Sequence, residues 1–216
     1  MRFILILLLS YLLGSIPTAV WLGKMARKVD IREHGSGNSG ATNALRVLGW
    51  RWGLAVLVLD ISKGLAAVLL LVPLLAAGPP HDPTLLSVLA GAAAIVGHVF
   101  PVTIGFRGGK GVGTSAGVMF ALSPLVALAA LIIWLAVVAA TRYVSLGSML
   151  AVVSVTPLLI LHGYLSDAGV KSPLLGFALL LAIGVLVSHR ANIKRLLEGR
   201  ENRLSLIGPR MGRRSR

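Results

Sequence analysis

Three polar stretches interrupt a largely apolar chain, and each carries residue types that suit an anionic phosphate. They are His34-Gly35-Ser36-Gly37-Asn38-Ser39-Gly40-Ala41-Thr42-Asn43, Gly105-Phe106-Arg107-Gly108-Gly109-Lys110-Gly111 and His189-Arg190-Ala191-Asn192-Ile193-Lys194-Arg195. Exposed backbone N–H groups, Arg and Lys are what a phosphate needs. The first stretch leads to Arg46, and helix capping accounts for one or two of Ser36, Asn38, Thr42 and Asn43 but not for the set. In the second, four glycines surround Arg107 and Lys110. Membrane anchoring needs charge but no glycine, whereas an anion site uses glycine to bring backbone N–H groups close. In the third, His189 and Asn192 share a face if the last helix continues, and Lys194 and Arg195 read as interfacial anchors.

The remaining ionisable residues sharpen this reading. None of the three stretches holds a cluster of acids, so phosphates would be gripped directly by N–H, Arg and Lys rather than through magnesium. No metal and no cofactor are expected. His98, just ahead of Pro101, is an intramembrane histidine and so a functional candidate. Asp60 and Lys63 stand at i,i+3 inside an apolar run and read as a structural ion pair. Glu201 reads as structural, pairing a basic loop. The chain has no cysteine, which excludes thiolate nucleophiles, disulfides and Cys-ligated metals.

The elements that must position these groups are membrane helices. The 216 residues are 56% hydrophobic and only 13% charged, about half the charge of a soluble domain. The net charge of +14 does not point to nucleic acid, because the basic residues flank apolar runs. Runs long enough to span lie at about 3–23, 53–77, 84–104, 147–165 and 173–188. The run from Val112 to Ala140 would make one helix about 44 Å long, against roughly 30 Å of hydrocarbon. Ser123-Pro124 offers a break, since proline disfavours helix at the residue before it.

Charge favours using that break. With it, all of the 21 Lys and Arg except Arg2, Lys63 and Lys171 fall on one side. The positive-inside rule then gives seven membrane segments, N-terminus out and C-terminus in. The segment 112–122 is too short to cross alone, so the Lys110 loop must sink into a polar cavity that opens inward. The fold class expected is an all-α integral membrane protein. Residues 1–207 form one domain, and 208–216 form a disordered basic tail attracted to anionic headgroups.

Two familiar motifs do not apply. Gly35-Ser36-Gly37-Asn38-Ser39-Gly40 matches a dinucleotide fingerprint but lacks the strand that must precede it. Arg107-Gly108-Gly109-Lys110-Gly111 lacks the first glycine of a P-loop and the Ser or Thr that would hold magnesium.

Taken in order, the three stretches resemble the bacterial PlsY family. The match also takes in Arg46, Gly97-His98, Pro101, Ser145-Leu146-Gly147-Ser148, Gly199 and Glu201, and Asp60 with Lys63-Gly64. The resemblance covers nearly the whole chain to about residue 207. It implies a seven-span acyltransferase of the bacterial inner membrane with its active site facing the cytoplasm. It also implies transfer of a fatty acyl group from acyl phosphate to the 1-position of glycerol 3-phosphate, giving lysophosphatidic acid without a metal. Partners would be these two substrates, membrane lipids, and the enzymes that make acyl phosphate and carry out the second acylation.

By motif match the catalytic candidates are Ser36, Arg46, Lys110, His189 and Asn192. Asn38, Thr42, Asn43, His98, Arg107, Gly108, Gly109, Gly111, Ser145 and Ser148 are candidates for holding substrate. The base for the acceptor hydroxyl stays open among His98, His189 and a substrate phosphate. His162 and Asp167 have the His-x-x-x-x-Asp spacing of a different glycerolipid acyltransferase family, but the topology puts them on the opposite side from the cationic loops. A rival class is an organic-phosphate transporter, which an inverted repeat would support. The glycine loops do not recur symmetrically. A lipid-binding scaffold without turnover is a third reading.

Overall fold

The computed structural model describes residues 1–76, 82–167, 169 and 171–204, and every regular element among them is helical. The expected basic tail at 208–216 lies outside the described residues.

Helix α1 (Arg2–Gly14) is followed by α2 (Thr18–Arg27) after a break at residues 15–17. The first span, expected as one run over 3–23, is therefore two pieces, because Pro17 has no N–H to continue the ladder. A short 3-10 turn, Ile31–Glu33, precedes α3 (Ala41–Leu48). Helix α4 (Trp50–Ala66) continues through a π stretch at Ala67–Leu71 into α5 (Val72–Leu75). Pro73 cannot donate to the carbonyl four residues back, and the ladder widens just ahead of it. Helix α6 (Pro83–Val99) starts from Asp82, whose Oδ1 accepts from the Thr84 and Leu85 amides at 2.9 and 3.0 Å.

Next come α7 (Val112–Leu122) and α8 (Pro124–Thr141), separated by Ser123 at φ −154° and ψ 81°. The break expected at Ser123-Pro124 is where the chain turns. At about 16 Å, α7 is the short segment. Helices α9 (Val144–Leu165), α10 (Ser172–Ser188) and α11 (Arg190–Leu197) complete the chain, with α10 and α11 bent by 60°.

Five of these runs are long and apolar enough to cross a membrane, and α10 with α11 makes a sixth. Their outward faces are greasy: Leu125, Ile132, Leu180 and Ile183 are all more than half exposed. Only 22% of α8 is buried within the protein, so most of it is left to meet lipid.

The helix pair that matters most for the site is α4 with α7. A Cβ on Gly64 would stand 2.2 Å from the Thr114 carbonyl oxygen, and one on Gly117 would stand 2.0 Å from that of Ile61. The two backbones therefore touch, as small residues allow between membrane helices. This contact brings Asp60 of α4 to the start of α7. The expected ion pair is present, with Lys63 Nζ 2.9 Å from Asp60 Oδ1. Thr18 Oγ1 donates to the same oxygen at 2.7 Å, and Lys63 Nζ donates to the Ile16 carbonyl at 3.2 Å. The pair thus ties the start of α2 to α4.

Candidate active site

The first loop is organised around Asn43. Its Nδ2 lies 2.9 Å from the Ile31 carbonyl, 3.0 Å from that of His34 and 2.9 Å from that of Asn38. Its Oδ1 accepts from the Ser36 amide at 2.9 Å. Asn43 borders the cavity, but its polar atoms are spent on the loop backbone, so it shapes the loop instead of offering itself to a substrate. With the loop held this way, Ser36, Asn38, Thr42 and Arg46 line a cavity of about 510 Å³. Burial lowers the Arg46 pKa, and attraction to Glu201 opposes it.

The second loop differs from expectation. The Gly108 amide donates to the Val99 carbonyl and the Gly109 amide to that of His98, both at 3.1 Å. These N–H groups are not free for a phosphate. The glycines instead let the loop fold back on the end of α6: a Cβ on Gly108 would stand 2.0 Å from the His98 carbonyl oxygen. Arg107 is exposed and lies outside the cavity. Lys110 and Gly111 do line it, and Lys110 Nζ donates to Asn192 Oδ1. Burial lowers the Lys110 pKa to about 8; Glu201 opposes the shift, and Arg195 and Arg46 add to it.

The third stretch forms an elbow. The helix does not continue straight past His189, yet His189 and Asn192 both line the cavity. His189 Nδ1 lies 2.8 Å from the Val185 carbonyl oxygen. A carbonyl only accepts, so Nδ1 carries the proton and Nε2 is left as an acceptor.

Glu201 is the hub of this corner. It accepts from Asn192 Nδ2 at 2.7 Å, Ser145 Oγ at 2.9 Å and Arg195 Nε at 2.8 Å. Burial works to raise its pKa, and these three hydrogen bonds outweigh it and hold the carboxyl low. The segment that delivers Glu201 is clasped twice. The Leu204 amide donates to the Arg142 carbonyl at 2.7 Å, and Arg142 Nε donates to the Leu204 carbonyl at 3.1 Å. The structural role expected of Glu201 fits this geometry.

Arg195 was expected to anchor the helix, but it lines the cavity and pairs with Glu201. The signal was available: His189, Asn192 and Arg195 recur at intervals of three. Ser148 lines the cavity, accepts from Trp134 Nε1 at 3.3 Å and donates to the Val144 carbonyl at 2.9 Å. His98 also lines the cavity, with its ring against Gly109. His162 lies about 21 Å along α9 from Ser148 and borders no part of the cavity. Asp167 is exposed beyond the end of α9.

Away from its polar mouth the cavity runs between α7, α8, α9 and α10, where Met119, Phe120, Leu131, Val152, Val155 and Leu181 line it. One end therefore gathers Arg46, Lys110, Arg190 and Arg195, and the other offers only hydrocarbon. The acids at the lining are Asp60, which Lys63 neutralises, and Glu201. The lining of such a cavity suits anionic groups at one end and an aliphatic chain at the other.

Comparison with known proteins places the chain in a family. A family model described as glycerol-3-phosphate acyltransferase matches residues 4–199. The glycerol-3-phosphate acyltransferase of Chlorobaculum tepidum is 42% identical over 226 residues, covering 95% of this chain and 97% of that one. That of Salinibacter ruber is 44% identical over 218 residues, covering 96% and 94%. The fold is similar to the crystal structure of PlsY, an integral membrane glycerol 3-phosphate acyltransferase, in its glycerol 3-phosphate form. The TM-score is 0.81 at 37% identity, with 95% of this chain and 96% of that chain covered. The lysophosphatidic acid form of PlsY matches with the same TM-score. Matched along almost its whole length, the chain belongs to the glycerol-3-phosphate acyltransferase family.

Proposed function

We propose that this protein transfers a fatty acyl group from acyl phosphate to the 1-position of glycerol 3-phosphate, giving lysophosphatidic acid and inorganic phosphate. The observation that carries this reading is the continuity of one cavity from the cations Arg46, Lys110 and Arg195 to the apolar walls of α7–α10. An acyl phosphate needs both ends at once. In the reaction the acceptor hydroxyl oxygen forms an ester bond to the acyl carbon. The bond from that carbon to the phosphate oxygen breaks, and phosphate leaves with the electron pair. The hydroxyl proton passes to His189 Nε2 or to a substrate phosphate oxygen. His189 suits this step better than His98, because its Nε2 is the free acceptor while the His98 ring is packed on Gly109.

The chain's own contribution is positional and electrostatic. Two dianions repel, and holding them together with the hydroxyl at the carbonyl removes much of the entropic barrier. Lys110, Arg46 and Arg195 stabilise charge developing on the leaving phosphate, and an arginine can do so through two parallel hydrogen bonds. No metal is required in this scheme. Among the described residues no group of three His, Cys, Asp or Glu is placed to hold one.

The reading extends to the membrane. Seven crossings, with the N-terminus outside and the site facing the cytoplasm of the bacterial inner membrane, fit the one-sided charge and the short α7. Because the chain lacks cysteine, single cysteines at Arg107 and Asp167 test this directly. An impermeant thiol reagent on intact cells should label the second and not the first.

The enzymatic test uses purified protein in detergent with excess EDTA. Acyl phosphate should give lysophosphatidic acid, and acyl-coenzyme A and acyl carrier protein should not. A rate lost to EDTA and restored by magnesium, or activity with a thioester donor, contradicts the proposal. A transporter would make no product at all.

A further inference from the structure

Lys110 lies in a loop whose flanking glycines are seated on two buried side chains from other helices. His98 of α6 sits under Gly109: a Cβ there would stand 2.2 Å from His98 Nε2. Asp60 of α4 sits under Gly113: a Cβ there would stand 3.0 Å from Asp60 Cβ. Lys110 is thus bracketed by two close contacts, one that excludes a Cβ at Gly109 and one that crowds a Cβ at Gly113, the second residue of α7. The two supports face one another, with His98 Nδ1 3.5 Å from Asp60 Oδ1. That nitrogen has no hydrogen-bond partner in the protein, and the ring is 5% exposed. Asp60 is fixed in turn by Thr18 Oγ1 at 2.7 Å and Lys63 Nζ at 2.9 Å. A chain of contacts therefore runs from the ion pair in α4 through His98 to the backbone on either side of Lys110.

We propose that Asp60 and His98 are positioning residues that seat Gly109 and Gly113 and so hold the Lys110 ammonium against Asn192 at the mouth of the cavity. The proposal goes beyond an ion pair that offsets its own burial, and it removes His98 from the candidates for proton transfer. Its kinetic readout rests on the acyl transfer proposed above. The role is mechanical. Both supports are on rigid helices, whereas the loop alone has glycine freedom on both sides of the lysine. Displacing a phosphate-binding ammonium by about 1 Å is enough to cost roughly a hundredfold.

The test is whether His98 acts through Lys110. His98→Ala should lower kcat/KM about thirtyfold in the parent, but less than threefold in a Lys110→Ala background, because the positioned group is gone. His98→Gln, whose longer side chain reaches the place of Nε2 under Gly109, should keep more of the activity than His98→Ala. Gly109→Ala should lose at least a hundredfold, and adding His98→Ala should bring it back to the His98→Ala level by removing the clash. A full loss from His98→Ala in the Lys110→Ala background overturns the proposal, and so does a Gly109→Ala defect that His98→Ala leaves unrelieved. Melting temperature in detergent follows the same rescue without any substrate. If the parent fails to use acyl phosphate, the acyl-transfer reading falls, while the rescue in melting temperature still decides whether His98 seats the loop.

Discussion

Replacing Lys110 by alanine tests how much of the catalysis is charge held in a sheltered place. The ammonium lines the cavity, donates to Asn192 Oδ1, and is held partly against its will: burial brings its pKa down to about 8. A dianionic phosphate in the cavity would reverse that penalty. At about 4 Å and an effective dielectric near 20, one cation–anion pair is worth about 4 kcal/mol. Arg46 and Arg195 stay in place and recover part of this, so the net loss should be near 2.7 kcal/mol, about a hundredfold in kcat/KM. The assay is phosphate release from acyl phosphate by purified protein in detergent, with folding checked by melting temperature. Lys110→Arg should rescue only in part, since a planar fork does not fit a site shaped for an ammonium. A folded Lys110→Ala protein with activity near the parent's would refute the reasoning and return the second loop to membrane anchoring.

Other outcomes follow from the same geometry. Lys110 must be protonated to act and its pKa is lowered to about 8, so kcat/KM should fall as pH rises through about 8. Bound dianions favour the ammonium, so the limb in kcat should lie higher, and Lys110→Arg should abolish both limbs; a limb unchanged in that variant would assign it elsewhere. Glu201→Ala releases Ser145, Asn192 and Arg195 together and should cost at least tenfold in kcat/KM with a lower melting temperature. Arg195→Ala should also cost about tenfold, because the side chain borders the cavity; an effect under twofold would restore it to anchoring. His162→Ala should leave turnover near the parent's, and a thousandfold drop, the scale of a lost general base, would put the site at the wrong end of α9.

Much of the architecture was legible because membrane helices obey few rules. The break at Ser123-Pro124 followed from a run too long for the bilayer and from charge that one long helix would strand outside. Asp60 and Lys63 announced their pairing because two opposite charges one turn apart inside hydrocarbon have few other ways to exist. The site was legible as a set of loops but not as a set of contacts. Glycine composition marked the second loop, yet nothing in the sequence says whether a glycine N–H faces a ligand or the Val99 and His98 carbonyls. Asn43 was similarly ambiguous, since its direction depends on three carbonyls that only the folded loop brings together. The elbow at His189 has no proline or glycine at the bend to announce it, and it is what brings Arg195 to the cavity. The apolar arm was hidden for a different reason. In a membrane protein, a face that lines an acyl site and a face that packs on another helix are written in the same residues.

If one cavity holds acyl phosphate and glycerol 3-phosphate side by side, the acyl group passes directly from the first to the second. Purified protein in detergent, given acyl phosphate with a deuterated chain and glycerol 3-phosphate, tests this by mass spectrometry of the products. The expected products are lysophosphatidic acid carrying the deuterated chain at the 1-position and an equal amount of inorganic phosphate. Free deuterated fatty acid with glycerol 3-phosphate unconsumed, or no product under any condition in which the protein remains folded, would contradict it.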